Sequence, residues 1–136
     1  MAQFCRDELS FDYLLDITSI DNFGEEPRFE IVYHLYSMPH VAHLRVKLKV
    51  AEDVGAIDTV SDIWPTANWH EREIYDMMGI KFNGHPDLRR ILMWDAFQDN
   101  PMRKDYVEPD DYEYEPTPHD EVLAKTRQHY PAEARP

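Results

Sequence analysis

Glu71, Glu73 and Asp76 bring three carboxylates into one short run, with Arg72 among them. Carboxylates this close are the raw material of acid–base chemistry. On a helix Glu73 and Asp76 lie one turn apart, and like charges so placed raise a pKa. On the same helix Arg72 and Asp76 are four residues apart, the spacing of an ion pair. Arg89 and Arg90 add two cations about one element later, and His85-Pro86-Asp87 forms a turn in which Pro fixes φ and Asp accepts local hydrogen bonds. Four acids and three arginines fit a charge network that locks a helix to a turn and to a partner. The competing reading is a free-standing hydrolase using Glu73 or Asp76.

Other chemistries find less support. His70-Glu71 resembles the opening of a zinc-protease helix, but the second histidine would fall at Ile74. His40 and His43 have a usable spacing without a nearby carboxylate or thiol. The four glycines, Gly24, Gly55, Gly79 and Gly84, build no dinucleotide or phosphate loop. No Gly-x-Ser-x-Gly elbow occurs, and Cys5, the single cysteine, has no evident activating base. One thiol can neither close an internal disulfide nor hold an iron–sulfur cluster alone.

Composition narrows the partners. With 14 Lys and Arg against 27 Asp and Glu, the net charge is -13. Such a chain repels phosphate backbones, which argues against nucleic acid. No apolar run approaches the ~20 residues of a membrane span, and the start lacks the features of a signal peptide.

The elements that must hold the charged stretch are partly legible. Residues 11–21 read as a strand. Phe29, Ile31, Tyr33 and Leu35 alternate with Glu30, Val32, His34 and Tyr36, and Leu44, Val46, Leu48 and Val50 alternate with His43, Arg45, Lys47 and Lys49. Period two means two strands with one apolar face each, joined by a turn at Ser37-Met38-Pro39-His40, with Arg45 and Lys47 able to lie near Glu30. Val54, Ile57, Val60, Ile63 and Trp64 fall at helical spacing up to Pro65. A second helix is expected with Asn68 as N-cap, Glu71 completing a capping box, an apolar stripe of Ile74, Met77 and Met78, and Gly79 past its end. Residues 80–82 and 90–94 read as short strands. The sum is an α+β domain of two layers over residues 1–98. Residues 99–118 carry four prolines, and residues 105–115 carry six acids interleaved with Tyr106, Tyr112 and Tyr114. That composition predicts an extended docking tail, with Arg103 and Lys104 near its start.

Glu71-Arg72-Glu73, Asp76-Met77-Met78, His85, Arg89, Ile91 and Leu92 together resemble the signature of the 30-kDa subunit family of proton-pumping NADH:quinone oxidoreductase (respiratory complex I). Trp64-Pro65-Thr66-Ala67-Asn68-Trp69, the run from Phe11 to Thr18, the hairpin of residues 28–50 and Arg103-Lys104-Asp105-Tyr106 resemble the family too, so the likeness covers nearly all of residues 11–106. Two departures stand out: only Met1 to Ser10 precede Phe11 where members usually carry a further strand and helix, and Asp99-Asn100-Pro101 replaces a repeated Gly-His-Pro.

The resemblance implies a mixed sheet in the order α-β(2)-α-β(3) and a chain without catalytic, cofactor-binding or metal-binding residues. It implies a structural subunit of the peripheral arm, on the cytoplasmic side of the inner membrane. Its partners would be the large quinone-site subunit and the subunits bearing the iron–sulfur clusters, with FMN and the clusters held there. Glu71, Arg72, Glu73, Asp76, His85, Arg89 and Arg90 would be structural or interface residues. Related scaffolds in membrane-bound hydrogenases and ferredoxin-linked complexes share the pattern.

Overall fold

The period-two runs become strands. The computed structural model describes residues 1–108. A short helix α1 (Ala2–Asp7) precedes β1 (Tyr13–Asp21), β2 (Phe29–Ser37) and β3 (Ala42–Val50), which form one antiparallel sheet in the order β1-β2-β3. Phe29, Ile31, Tyr33 and Leu35 are buried on its inner face. On the outer face Lys49 stands opposite Glu30, and Lys47 reaches diagonally to the Glu30 carboxylate at 2.6 Å. The β1 register shifts between Leu14 and Asp16, and Leu15 in this bulge points outward.

The helix expected from Val54 to Trp64 does not form. Gly55 takes a positive φ of 52°, and β4 (Ala56–Asp58) follows at once. Ile63 and Trp64 then donate their N–H groups to the Val60 carbonyl in a single turn. The helical spacing thus came from one strand residue and one turn lying in series. Ile57 pairs across to Phe82 of β5 (Lys81–Asn83), in a parallel two-stranded sheet separate from the first.

The second helix is present as α2 (Ala67–Met78) and lies against β1. Ala67, Ile74 and Met78 face the core, where Ile80 and Phe82 join them. Its N-cap is Thr66 rather than Asn68, without a side-chain cap, and Glu71 forms no capping box but binds residues 59 and 60. The observed order is therefore α-β(4)-α-β, an α+β fold as expected, with two sheets in place of one mixed sheet. No strand forms at 90–94. The N–H groups of Ile91, Leu92 and Met93 all point at one carboxylate oxygen, whereas a strand would send them to alternate sides.

The compact unit runs to Tyr106, past the boundary expected at 98. Residues 100–105 are held by two anchors. One is the end of α2. The last four carbonyls of a helix lack partners within it, and here all four are met. Gly79, in the left-handed conformation, donates to Tyr75 O, and Asn100 Nδ2 donates to Asp76 O at 3.0 Å. Met102 N–H reaches Met77 O at 3.1 Å, and Arg103 Nε reaches Met78 O at 2.6 Å. A side chain at Gly79 would collide with Asn100 Oδ1.

The other anchor is Arg28, buried at the mouth of the β1–β2 hairpin. Its guanidinium makes a two-point bond to Asp21 at 2.8 and 2.9 Å, reaches Asp105 at 2.6 Å and Glu52 at 2.7 Å, and lies over the rings of Phe23 and Phe29. Lys104 N–H donates to the same Asp21 carboxylate at 2.8 Å. Tyr112 and Tyr114 lie outside the described residues.

Arg28→Ala strands the buried Asp21 carboxylate and releases residues 103–105. It is expected to lower the unfolding free energy by roughly 3–5 kcal/mol in urea titrations. Asp105→Ala, which removes an exposed partner only, should shift the midpoint much less.

Candidate functional site

The carboxylates of α2 sort onto three faces, since residues three and four apart share one side of a helix. Glu71 faces the core together with Ile74 and Met78. Arg72 and Asp76 face the irregular segment 89–93. Glu73 and Trp69 point to solvent.

Asp76 is almost fully buried, yet each of its oxygens has partners. Oδ2 accepts the N–H groups of Ile91, Leu92 and Met93 at 3.0, 2.8 and 2.9 Å. Oδ1 accepts Arg90 Nη1 at 2.6 Å. Burial pushes such a carboxyl up, but these bonds to the charged form outweigh it and hold Asp76 below the usual carboxylate range.

One turn earlier Arg72 takes the opposite polarity of the same segment. Its Nε donates to Arg89 O at 3.2 Å and its Nη2 to Arg90 O at 3.0 Å. The expected Arg72–Asp76 ion pair is therefore not made: one residue binds carbonyls and the other binds N–H groups of a single loop. Arg90 continues to Asp99 O at 3.0 Å and lies over the Phe97 ring. Arg89 is exposed and pairs with Asp87 at 2.8 Å.

Glu71 is fully buried. Its Oε1 accepts Val60 N–H at 2.7 Å, and its Oε2 meets the Thr59 hydroxyl. The side chain of His85 is enclosed beside it, with Nε2 at 3.9 Å from Oε2 and 3.1 Å from Asn68 O. His85 Nδ1 accepts Asp87 N–H at 3.0 Å, so the ring proton sits on Nε2 and donates to Asn68 O. Burial raises the Glu71 carboxyl above its ordinary pKa, against the lowering effect of the Thr59 and Val60 bonds.

What this arrangement does is hold backbone. Among the described residues no buried side-chain polar atom lacks a partner. Asp76 uses both oxygens on the chain itself. Arg103 and Lys104, expected in a docking tail, bind the end of α2 and Asp21 instead, and Tyr106 is half-buried near the Phe97 ring. Reading the sequence missed Arg28, Asp21 and Asp105. The one local signal was an acid and a base closing either end of the turn at 21–28, flanked by Phe23 and Phe29.

The family model for the respiratory-chain NADH dehydrogenase 30 Kd subunit matches residues 1–113. The chain belongs to this family. It is 50% identical over 106 residues to the NADH-quinone oxidoreductase C subunit of Geotalea uraniireducens (strain Rf4), covering 78% of this chain and 65% of that protein. The corresponding C 2 subunit of Rhizobium meliloti (strain 1021) is 50% identical over 111 residues, covering 78% and 60%. The chain thus spans less than two thirds of the length of these curated relatives. Among solved structures, the trypsin-resistant fragment (1-134) of Nqo5 superposes with a TM-score of 0.55 at 34% identity, over 64% of this chain and 77% of that one. The resemblance drawn from residues 71–92 and their flanks holds, and in this member of the 30-kDa family Arg72, Asp76 and Arg90 among them clamp α2 to the loop.

The two buried carboxyls predict opposite behaviour. Asn at 76 replaces an acceptor oxygen with a donor facing N–H groups, so Asp76→Asn is expected to cost roughly 3–5 kcal/mol. In Glu71→Gln the amide oxygen still accepts Val60 N–H and the NH2 group donates to Thr59, so the cost at neutral pH is about 1 kcal/mol or less. The sign with pH also differs. Asp76, lowered in the fold, stabilises above its unfolded pKa of about 3.9, and that stability is lost as pH falls through the folded value. Glu71, raised in the fold, favours folding at low pH, and its contribution is lost as pH rises through its folded pKa. Urea midpoints from pH 3 to 8 should therefore fall less steeply on the acid side in Asp76→Asn, and less steeply on the neutral side in Glu71→Gln.

Proposed function

We propose that this chain is a non-catalytic structural subunit of the peripheral arm of NADH:quinone oxidoreductase. The complex would pass electrons from NADH through flavin and iron–sulfur clusters to quinone, coupled to proton translocation. The chain would sit on the cytoplasmic side of the inner membrane, packed on the quinone-site subunit and the cluster-bearing subunits. Family membership supports the reading. The observation that carries it is the saturation of Asp76, whose oxygens are all engaged by the chain's own N–H groups and Arg90.

FMN and the clusters belong, on this reading, to the partner subunits. The donor set here does not suit a cluster: Cys5 is the single cysteine and is buried. Among the described residues no three His, Cys, Asp or Glu come close enough to share a metal ion, and no helix is long and apolar enough to cross a membrane.

Arg72 and Asp76 fix residues 89–93 from both polarities, which leaves Leu92 and Trp94 projecting outward, 61% and 51% exposed. A rigid loop with an outward apolar side chain and a Trp is a pre-ordered contact for a neighbouring subunit. Electron tunnelling depends steeply on distance, so a subunit that holds others in register governs rate without handling an electron. Glu73, exposed on the outer face of α2, would face the same neighbour.

The full chain, tagged and recovered from its native membranes, tests this. Leu92→Asp should leave the melting of the isolated chain unchanged. It should also lower co-purified flavin, iron and NADH-driven quinone reduction about tenfold, the size of a lost hot-spot contact. Turnover by the purified chain alone, abolished in Glu73→Gln, would instead establish a hydrolase.

A further inference from the structure

β3 ends the three-stranded sheet, and among the described residues its outer edge pairs with no strand. It is nine residues long, and a row of free N–H and C=O groups of that length is a template for another strand. Its two faces differ in chemistry. On the inner face Val46 and Leu48 line an open, mainly apolar groove of about 660 Å³, together with Tyr33, Val60, Ile63 and Trp64. Leu48 is 42% exposed although it continues the core. On the outer face His43, Arg45, Lys47 and Lys49 form a basic row in a chain of net charge -13. Lys47 is paired with Glu30, while Arg45 and Lys49 make no ion pair among the described residues.

We infer that the β3 edge takes up an extended segment of a partner protein by strand addition, and that the segment alternates apolar with acidic side chains. Backbone hydrogen bonds to β3 would supply affinity, as in other strand-addition sites. Successive side chains of the added strand point to opposite faces. Its apolar set would enter the groove beside Val46 and Leu48, and its acids would lie beside Arg45 and Lys49. A second copy of this chain does not fit: two β3 edges paired together bring the basic rows into opposition, and like charges across strands are destabilising. Lys and Arg on an edge guard against self-pairing in this way while leaving an acidic strand welcome. The site uses none of the α2–loop residues, so it stands or falls separately from the proposed function.

The full chain is titrated with a fluorescein-labelled peptide alternating Val and Glu, and with one alternating Val and Lys, followed by anisotropy and by amide hydrogen exchange. The Glu peptide should bind at least about tenfold more tightly than the Lys peptide and should slow exchange of β3 amides. Arg45→Glu with Lys49→Glu, both at exposed positions, should reverse the preference. If that variant melts early, Arg45→Gln with Lys49→Gln should abolish it. Equal affinity for the two peptides, binding that leaves β3 amides unprotected, or no binding by either overturns the inference. So does a β3-mediated dimer that the Glu peptide fails to displace.

Discussion

A carboxylate buried at Asp76 would be costly alone, since moving a charge out of water costs several kcal/mol even after relaxation. Three N–H groups of consecutive residues and one guanidinium remove that cost by surrounding it. The loop gains equally. Residues 91–93 have no strand or helix to satisfy their backbone, and the carboxylate serves all three donors. Arg72 does the same for two carbonyls just before them. The loop's path is therefore written by two side chains of α2, and the positions of Leu92, Trp94 and Phe97 follow from it.

The same logic governs the far end of the helix. Asn100, Met102 and Arg103 meet its last carbonyls, and Arg103 and Arg90 place positive charge at the negative end of the helix dipole. Arg28 then ties residues 103–105 back to the first hairpin through Asp21 and Asp105. Loops 89–93 and 100–105 lack regular structure but not hydrogen bonds. Charged side chains of α2 hold the first, and the second is held by its own donors on the α2 carbonyls together with Asp21 and Arg28.

The hairpin was readable because alternation from Phe29 to Leu35 and from Leu44 to Val50 has one structural meaning. Gly79 was readable because a left-handed residue at a helix end favours glycine. The stretch from Val54 to Trp64 misled because apolar residues three or four apart arise equally from a short strand followed by a turn. Arg72 and Asp76 misled for a different reason. Their helical spacing was right, but each had a better partner in a loop whose position no local rule gives. Glu71 matched a capping box by spacing and left it for Thr59 and Val60. Arg28 and Asp105 are 77 residues apart, and nothing in either neighbourhood names the other. Side chains that bind their own element can be read locally; those that bind a distant loop cannot.

The order in which a ribosome delivers these residues gives the late partners a further meaning. The three strands and α2 are synthesised before residues 89–105. Until those arrive, Asp76 has no N–H cradle, Asp21 and Arg28 lack Lys104 and Asp105, and α2 ends in open carbonyls. A nascent chain halted after α2 therefore lacks the N–H donors and the Arg90 guanidinium that allow Asp76 to be buried. The last-made segment of this unit thus supplies the bonds that satisfy side chains and carbonyls made well before it.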